Sequence, residues 1–504
     1  MDVTTTADID LDGNGRLVAV YGTEEDGPAY RVRGTTQAAG THLYESTVLS
    51  DDDAFMPRVA VSDNGYVLAS YYDVENGQSQ ISSNRLTPGS STWTPSVALT
   101  TLGQHGVETD VAISTTGLAT VVWTTNINGD MRVRSVKVYG DGSYGNAAIV
   151  SPGGQDATRP TVDQNEAGTA LAAWESDANG IKGVGWGSRK IASDWSAGAL
   201  SVPVAAPIAP KAAISESGKV FIGYSGNGRL LASHRTSPIH IFTNFDSGPV
   251  GFVDSESSVG MDADGNTLLA GVMKSADPTQ GRVYGSYLDN AGPTASITAP
   301  TAAQTLATSL QVGWKASDLL SPVKDATVRV RSAAWNGGFG APTVLAANTV
   351  AASLPFTGTA GSTHCFTAQS RDAHGHLGKL SSERCTTIPV DDRTMAAKKG
   401  FKRAKGQANF LGTVSTAKKK GARLTLKNVH AKRLALVVAK APKGGKVLVS
   451  FNGQQLRKVS LKGKGTKHVV NLATFGSVRT GTLVVKVISK TGKVVRVDGV
   501  VAAK

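Results

Sequence analysis

Short apolar runs separated by polar turns fill about the first 290 residues of the chain. Residues 59–61 (VAV) precede a turn that ends at Gly65, and residues 111–113 (VAI) precede one that ends at Gly117. A second apolar run follows each glycine. Runs of this length between turn residues are typical of β-strands, and no segment shows the longer periodicity of an amphipathic helix. The pattern therefore predicts an all-β protein.

The turn glycines recur at intervals of 47 to 52 residues. They are Gly15, Gly65, Gly117, Gly168, Gly218 and Gly265. In five units an aromatic residue stands six positions later: Tyr21, Tyr71, Trp123, Trp174 and Tyr224. A second aromatic stands 27 to 29 positions after the glycine: Tyr44, Trp93, Tyr144, Trp195 and Phe245. Two aromatic positions in register over five units indicate an internal repeat.

A period of about 50 residues, with about four short strands in each unit, is typical of a β-propeller blade. In that fold the first strand lines a central channel, and the aromatic that ends the second strand fills the space between neighbouring sheets. We therefore predict a six-bladed β-propeller over residues 1–290, with a solenoid of stacked units as the alternative. The sixth unit ends early. We expect it to lack an outer strand, and we expect native residues upstream of Met1 to complete it.

In the repeat, a glycine precedes a predicted strand that ends in Trp or Tyr. Examples are Gly117 with Trp123 and Gly168 with Trp174. These units resemble the blades of uncharacterised secreted multidomain proteins from high-GC Gram-positive bacteria. The resemblance covers about residues 7–290. It implies a propeller and export from the cell, and it implies no particular chemistry.

Two further modules follow the repeats. Residues 312–318 form an alternating strand around Trp314, and the only cysteines, Cys365 and Cys385, lie 20 residues apart. An isolated pair fits one disulfide and an oxidising compartment, with two free thiols as the alternative. Residues 291–390 resemble the fibronectin type III or immunoglobulin-like sandwiches of the same secreted proteins, in which the two cysteines join the last two strands. Residues 391–504 resemble their basic C-terminal domain, for which we expect a jelly-roll-like β-sandwich.

Charge is distributed very unevenly between these modules. Residues 391–504 hold 27 Lys and Arg against three Asp, a net charge of +24, whereas the preceding 390 residues have a net charge of −11. So large an excess predicts an anionic polymer as partner, such as a cell-wall or extracellular polysaccharide. Residues 391–504 contain no Trp or Tyr to stack on bases or sugars, so we expect adhesion without specificity, and only non-specific contact with nucleic acid.

One position varies among the units while its neighbours repeat. Seven residues before the turn glycines stand Asp8, Arg58, Asp110, Thr161, Lys211 and Ser258. In a propeller these residues begin the innermost strands and form a ring at one mouth of the channel. Arg58 and Lys211 are three units apart, so they are expected to face each other and to hold an anionic group between them. The alternatives are that Arg58 pairs with Asp8 or Asp110, or that exposed strand starts simply vary.

No catalytic or metal constellation can be assigned. Residues 8–13 (DIDLDG) look like the start of a calcium loop, but Ala19 stands where such a loop needs a bidentate Glu. His374 and His376 lie in a Gly-rich turn without further evident ligands. We therefore expect a strand entering a turn at residues 8–13, a hairpin turn at the histidines, and neither a cofactor nor a metal.

The sequence as a whole favours a non-enzymatic extracellular or cell-wall-associated binding protein. The propeller serves as scaffold, the middle module as spacer and the basic domain as anchor. No 18-residue apolar stretch exists, so no membrane insertion is expected. No signal peptide opens the chain, and we expect one upstream. The alternatives are a carbohydrate-active hydrolase or lyase with its site in the channel, and a multivalent lectin with one sugar site in each blade.

Overall fold

The structure is a computed structural model that describes residues 6–24, 30–38, 45–51, 53–200, 202, 207–236, 242–250, 257–274, 281–398 and 400–504. Within these ranges the chain forms 39 β-strands and two short 3-10 helices, which confirms the all-β prediction. Neither of these helices has the length or hydropathy of a membrane span. The contacts of the chain divide it into two compact units, Met1–Asn290 and Ala291–Lys504. Tyr44 and residues 1–5 lie outside the described residues.

Six successive antiparallel sheets make up the first unit, each built from strands that are consecutive in sequence. The first three sheets contain β1 (Ala7–Leu11), β2 (Leu17–Glu24), β3 (Tyr30–Gln37) and β4 (Glu45–Val48); β5 (Asp53–Val61), β6 (Val67–Glu75), β7 (Gln78–Leu86) and β8 (Val97–Ala98); and β9 (Val107–Ile113), β10 (Ala119–Ile127), β11 (Asp130–Val138) and β12 (Ala148–Ile149).

The next three sheets continue the same order. They contain β13 (Asp156–Gln164), β14 (Ala170–Ala178), β15 (Ile181–Arg189) and β16 (Ser196–Ala199); β17 (Ile208–Ile214), β18 (Val220–Gly226), β19 (Arg229–Arg235) and β20 (Thr243–Val250); and β21 (Ser258–Met261), β22 (Thr267–Lys274) and β23 (Gly281–Leu288). The sixth sheet therefore has three strands in the part of the chain that the structure describes. The first strand of each sheet contacts the first strand of the next, from β1 through to β21.

The repeated residues have the local roles that their spacing predicts. All six turn glycines adopt a positive φ, between 74° and 95°, where a residue with a Cβ is strained. Tyr71, Trp123, Trp174 and Tyr224 are all 0% exposed, and each packs in a cluster with residues of the preceding sheet. The Tyr71 hydroxyl also donates to the Leu49 carbonyl of the first sheet at 2.9 Å. These aromatics therefore bind neighbouring sheets together.

The second aromatic position has different surroundings in different units. Trp93 and Tyr144 precede the short fourth strands of their sheets instead of lying within them. Trp93 is buried and packs in the core between the first two sheets, but Tyr144 is 49% exposed. The same sequence position is therefore core in one unit and surface in another.

Two sheets with a shared core begin the second unit. The three-stranded sheet has the order β24 (Thr294–Ala299), β25 (Ser309–Ser317), β28 (Ser353–Thr357); the four-stranded sheet has the order β27 (Thr343–Thr349), β26 (Val323–Ala334), β29 (Ser362–Asp372), β30 (Arg384–Thr387). Trp314 and Phe366 meet in the core between them. Cys365 and Cys385 form a disulfide between β29 and β30, where they are directly paired across the two strands. The two sheets together contain seven strands.

One continuous nine-stranded sheet forms the rest of the second unit. Its strands are β31 (Val390–Asp391), β32 (Ala396–Lys398), β33 (Lys402–Lys405), β34 (Thr413–Ala417), β35 (Arg423–Val438), β36 (Lys446–Phe451), β37 (Gln454–Ser460), β38 (His468–Val487) and β39 (Val495–Ala503), with 3-10 helices at Asp392–Thr394 and Phe410–Gly412. Register shifts in the pairing of the long strands β35 and β38 let the sheet bend around its larger apolar cluster. The predicted module boundary between Val390 and Asp391 falls within β31.

Candidate functional site

The starts of β5, β9, β13 and β17, the first strands of four consecutive sheets, meet around a small cavity of about 80 Å³ in the first unit. We call it the ring pocket, and it is lined by Met56, Arg58, Glu108, Thr109, Asp110, Arg159, Pro160, Thr161, Ala209, Pro210 and Lys211. Four of the six predicted ring residues, Arg58, Asp110, Thr161 and Lys211, are therefore brought together. Asp8 influences the pKa of Asp110 without lining the cavity. Ser258 is exposed at the start of β21 and does not line it either.

A β-bulge recurs in each of these four strands, just before the ring residue. The residue nine positions before the turn glycine has a positive φ in all four: Met56 (49°), Glu108 (55°), Arg159 (51°) and Ala209 (49°). Non-glycine residues rarely adopt this conformation, which costs on the order of 1–3 kcal/mol at each position. Sequence reasoning missed the bulges because none of the four residues is Gly or Asn. Their constant distance from the turn glycine was the available signal.

Three predicted ring residues connect the first strand of one sheet to the first strand of the next. The carboxylate of Asp8 accepts the backbone N–H of Val59 at 2.9 Å, and the carboxylate of Asp110 accepts that of Val162 at 2.9 Å. The hydroxyl of Thr161 accepts the N–H of Ala212 at 3.0 Å. In each case the acceptor belongs to one sheet and the donor to the following sheet. These three side chains therefore have a structural role.

A second row of carboxylates repeats this connection two residues further along. Asp10 accepts the N–H of Val61 at 2.7 Å, and Asp163 accepts the N–H of Ile214 at 2.8 Å. Burial raises the pKa of Asp10, and it raises the pKa of Asp163 to about 6 against the lowering effect of its backbone hydrogen bonds. The strand starts are therefore joined by two layers of hydrogen bonds between the main chain and side chains.

The charges of the ring pocket are only partly paired. Arg159 forms an ion pair with Glu175 at 3.2 Å, and Glu108 accepts the N–H of Arg159 at 2.8 Å. Arg58 donates to the carbonyl of the adjacent Pro57 at 3.2 Å and, in the described part of the chain, makes no ion pair with Asp8 or Asp110. Lys211 forms no side-chain hydrogen bond or ion pair with any described residue.

Asp110 is nevertheless influenced by both cations. Burial raises the pKa of Asp110, whereas the positive charges of Lys211 and Arg58 and the hydrogen bond from Val162 oppose that rise. The cavity of about 80 Å³ is also well below the roughly 300–1,000 Å³ of small-molecule sites. It is of a size for a small ion or a few water molecules, each of which occupies about 30 Å³ in the liquid.

The other candidates behave as turns. Asp12 accepts the N–H groups of Asn14 and Arg16, both at 2.9 Å, so residues 8–13 form a strand and a turn closed by the aspartate side chain. His376 contacts the buried carboxylate of Asp372 at 2.8 Å, and this contact stabilises a turn.

All three carboxylates of the basic module are buried and bonded internally. Asp391 forms an ion pair with Arg393 at 2.9 Å, Asp392 accepts the hydroxyl of Ser415 at 2.6 Å, and Asp498 accepts the N–H of Phe410 at 3.0 Å. Their exposures are 6%, 0% and 0% respectively. The charged side chains on the surface of the module are therefore all cationic.

An open cleft of about 660 Å³ lies in this cationic surface. We call it the basic cleft. Six of its lining residues carry positive charge and none carries negative charge: Lys402, Arg403, Lys405, Lys418, Lys419 and Arg496. Its other walls are small or uncharged, among them Ala404, Val414, Thr416 and Ala439. Sequence analysis predicted diffuse adhesion and named no such cleft.

No family model matches the chain, and no curated protein matches it. Among solved structures, an α-L-arabinofuranosidase from Fusarium graminearum is 10% identical with a TM-score of 0.41, covering 57% of this chain and 93% of that one. A polysaccharide lyase is 11% identical with a TM-score of 0.39, covering 56% and 77%. An exo-β-1,3-galactanase from Phanerochaete chrysosporium is 12% identical with a TM-score of 0.27, covering 98% and 95%. At such identities and TM-scores these proteins say nothing about the chemistry of this chain.

Proposed function

We propose that this chain is a non-enzymatic extracellular protein that binds anionic polymers through residues 391–504. The observation that carries the proposal is the burial of Asp391, Asp392 and Asp498 beneath a surface whose charged side chains are all Lys, Arg or His. A field of one sign, unbroken by carboxylates, attracts polyanions and releases their counterions on binding. A net charge of +24 exceeds what solubility requires.

The rest of the chain fits a scaffold and a spacer in this proposal. We interpret the six sheets as a six-bladed β-propeller and the seven-stranded sandwich as a fibronectin type III-like module. The Cys365–Cys385 disulfide supports an oxidising environment and hence an extracellular or cell-wall location. The buried aromatics count against a multivalent lectin, because Tyr71, Trp123 and Trp174 expose no face on which a sugar can stack.

The test is binding of the full chain to inorganic polyphosphate and to uncharged dextran over a range of salt concentrations. About six phosphate contacts predict an affinity loss on the order of a thousandfold between 50 and 200 mM salt. Dextran is expected not to bind. Equal binding of the two polymers, or polyphosphate binding that does not depend on salt, would contradict the proposal.

A second candidate is a carbohydrate-active hydrolase or lyase that uses the ring pocket. Glu108 and Asp110 both line that cavity beside Arg58 and Lys211, and two carboxylates in one site are what glycoside hydrolysis uses. The small volume of the cavity and the backbone hydrogen bonds of both carboxylates favour the structural role instead.

The test of this second candidate is product release from a panel of polysaccharides. Product formed by the native chain and lost in Glu108→Gln would establish the enzyme.

A further inference from the structure

We infer that polyanion binding is concentrated in the basic cleft, where Lys402, Thr416 and Arg496 hold oxyanion groups of a linear polymer. This deepens the proposed function and rests on it. Many Lys and Arg side chains lie outside the basic cleft, so the inference requires that the cleft contributes more to polymer binding than the rest of the module. Three features of the basic cleft argue that it does: the alignment of its donors, their lack of internal partners and the shape of the cleft.

Strand pairing aligns the three donors. In β33, β34 and β39, which are neighbours in the sheet, Lys402 lies opposite Thr416 and Thr416 lies opposite Arg496. Directly opposed residues of adjacent strands point to the same face, and strands are about 4.8 Å apart. The ammonium and guanidinium groups therefore come from backbone positions about 10 Å apart, with a hydroxyl between them. Such a row can donate to successive oxygens of a phosphate or sulfate group.

Most cations of the basic cleft lack an internal partner among the residues that the structure describes. In the described part of the chain, the side chains of five of its six cations form neither a hydrogen bond nor an ion pair: Lys402, Lys405, Lys418, Lys419 and Arg496. Arg403 differs, since its guanidinium donates to the carbonyls of Arg393 and Met395 at 2.9 and 2.8 Å. Five like charges around one cavity repel each other, and a bound anion relieves that repulsion.

The shape of the cleft suits a polymer segment. Its volume of about 660 Å³ lies within the roughly 300–1,000 Å³ of established ligand sites, and it is open to solvent. Ala404, Val414, Ala417 and Ala439 lie in its walls, and low-dielectric walls focus the field of surrounding charges. A convex surface carrying the same charges offers no such focusing.

The test compares two double variants of the full chain that each remove two positive charges. Lys402→Gln with Arg496→Gln changes the cleft, whereas Lys432→Gln with Lys458→Gln changes exposed lysines of the same module outside it. For inorganic polyphosphate at about 150 mM salt, the cleft variant is expected to lose at least about tenfold in affinity, and its salt slope to fall by about 2. The control variant is expected to lose much less.

Equal losses of polyphosphate affinity in the two variants would contradict the inference about the basic cleft, but they would not contradict the proposed function. Absence of polyphosphate binding by the native chain would overturn the proposed function itself.

Thr416→Val separates hydrogen bonding from charge attraction, because it removes the hydroxyl without greatly changing charge or volume. It is expected to weaken polyphosphate binding severalfold at an unchanged salt slope, and unchanged affinity would exclude the aligned donor row. Thermal unfolding of each variant verifies that the module remains folded.

Discussion

Replacing Asp498 by Asn should stabilise the basic module increasingly as the pH rises. The Asp498 side chain is 0% exposed and accepts the N–H of Phe410 at 3.1 and 3.0 Å. Burial raises the pKa of Asp498 to about 6; the Phe410 hydrogen bond opposes this rise, and the charges of Asp392 and Asp391 add to it. Asn keeps an oxygen for the Phe410 N–H but carries no charge to bury.

The direction of the pH dependence follows from the number of protons that Asp498 binds in the native and the unfolded state. The native chain keeps the Asp498 proton up to about pH 6, whereas the unfolded chain releases it near the ordinary value of 3.8. Between these values the native state binds more protons, so this group's contribution to stability falls as the pH rises, and the whole cost is present above about pH 6. The gap corresponds to about 3 kcal/mol. The variant-minus-native difference in unfolding free energy should therefore rise by about 2.5 kcal/mol between about pH 4 and about pH 8, because a small part of the cost is already present at pH 4.

The full chain is equilibrated in urea at several pH values. The unfolded fraction of the basic module is then measured by a pulse of hydrogen exchange at one common pH, read on peptides of β39. Comparing differences across pH removes any constant effect of the substitution. Asp194→Asn, which removes an exposed carboxylate in the first unit, is the matched control and should leave these peptides unchanged. A difference that stays flat or falls with pH would refute the reasoning.

Three further predictions concern the disulfide and the ring. Replacing Cys365 and Cys385 by Ala should destabilise the sandwich by about 3 kcal/mol, because the bridge closes a loop of about 20 residues; an unchanged calorimetric midpoint would contradict this. Thr161→Val leaves the backbone N–H of Ala212 in β17 without its acceptor, which should cost about 1–3 kcal/mol and speed exchange of that amide. Arg58→Ala combined with Lys211→Ala should abolish any phosphate binding by the ring pocket in titration calorimetry, and unchanged binding would leave both residues with a structural role.

The repeat, the strands and the buried aromatics were predictable because local rules set them. Gly65 and its equivalents occupy turns that require a positive φ, which only glycine adopts without strain. Trp123 and Trp174 are too large and apolar to remain in solvent beside a strand, so their spacing revealed the core between sheets. The charge excess of residues 391–504 was likewise visible in composition alone.

Only the tertiary structure decided which of these residues work together. No residue preference marks the bulges at Met56 and Glu108, since neither residue is Gly or Asn. The carboxylates of Asp8 and Asp110 looked available for a ligand until the next strand supplied a donor to each. In the basic module, strand pairing places Arg496 beside residues far away in sequence, while burial removes every carboxylate from the surface. Composition determines how much charge a chain carries, but strand register and burial determine where that charge is displayed.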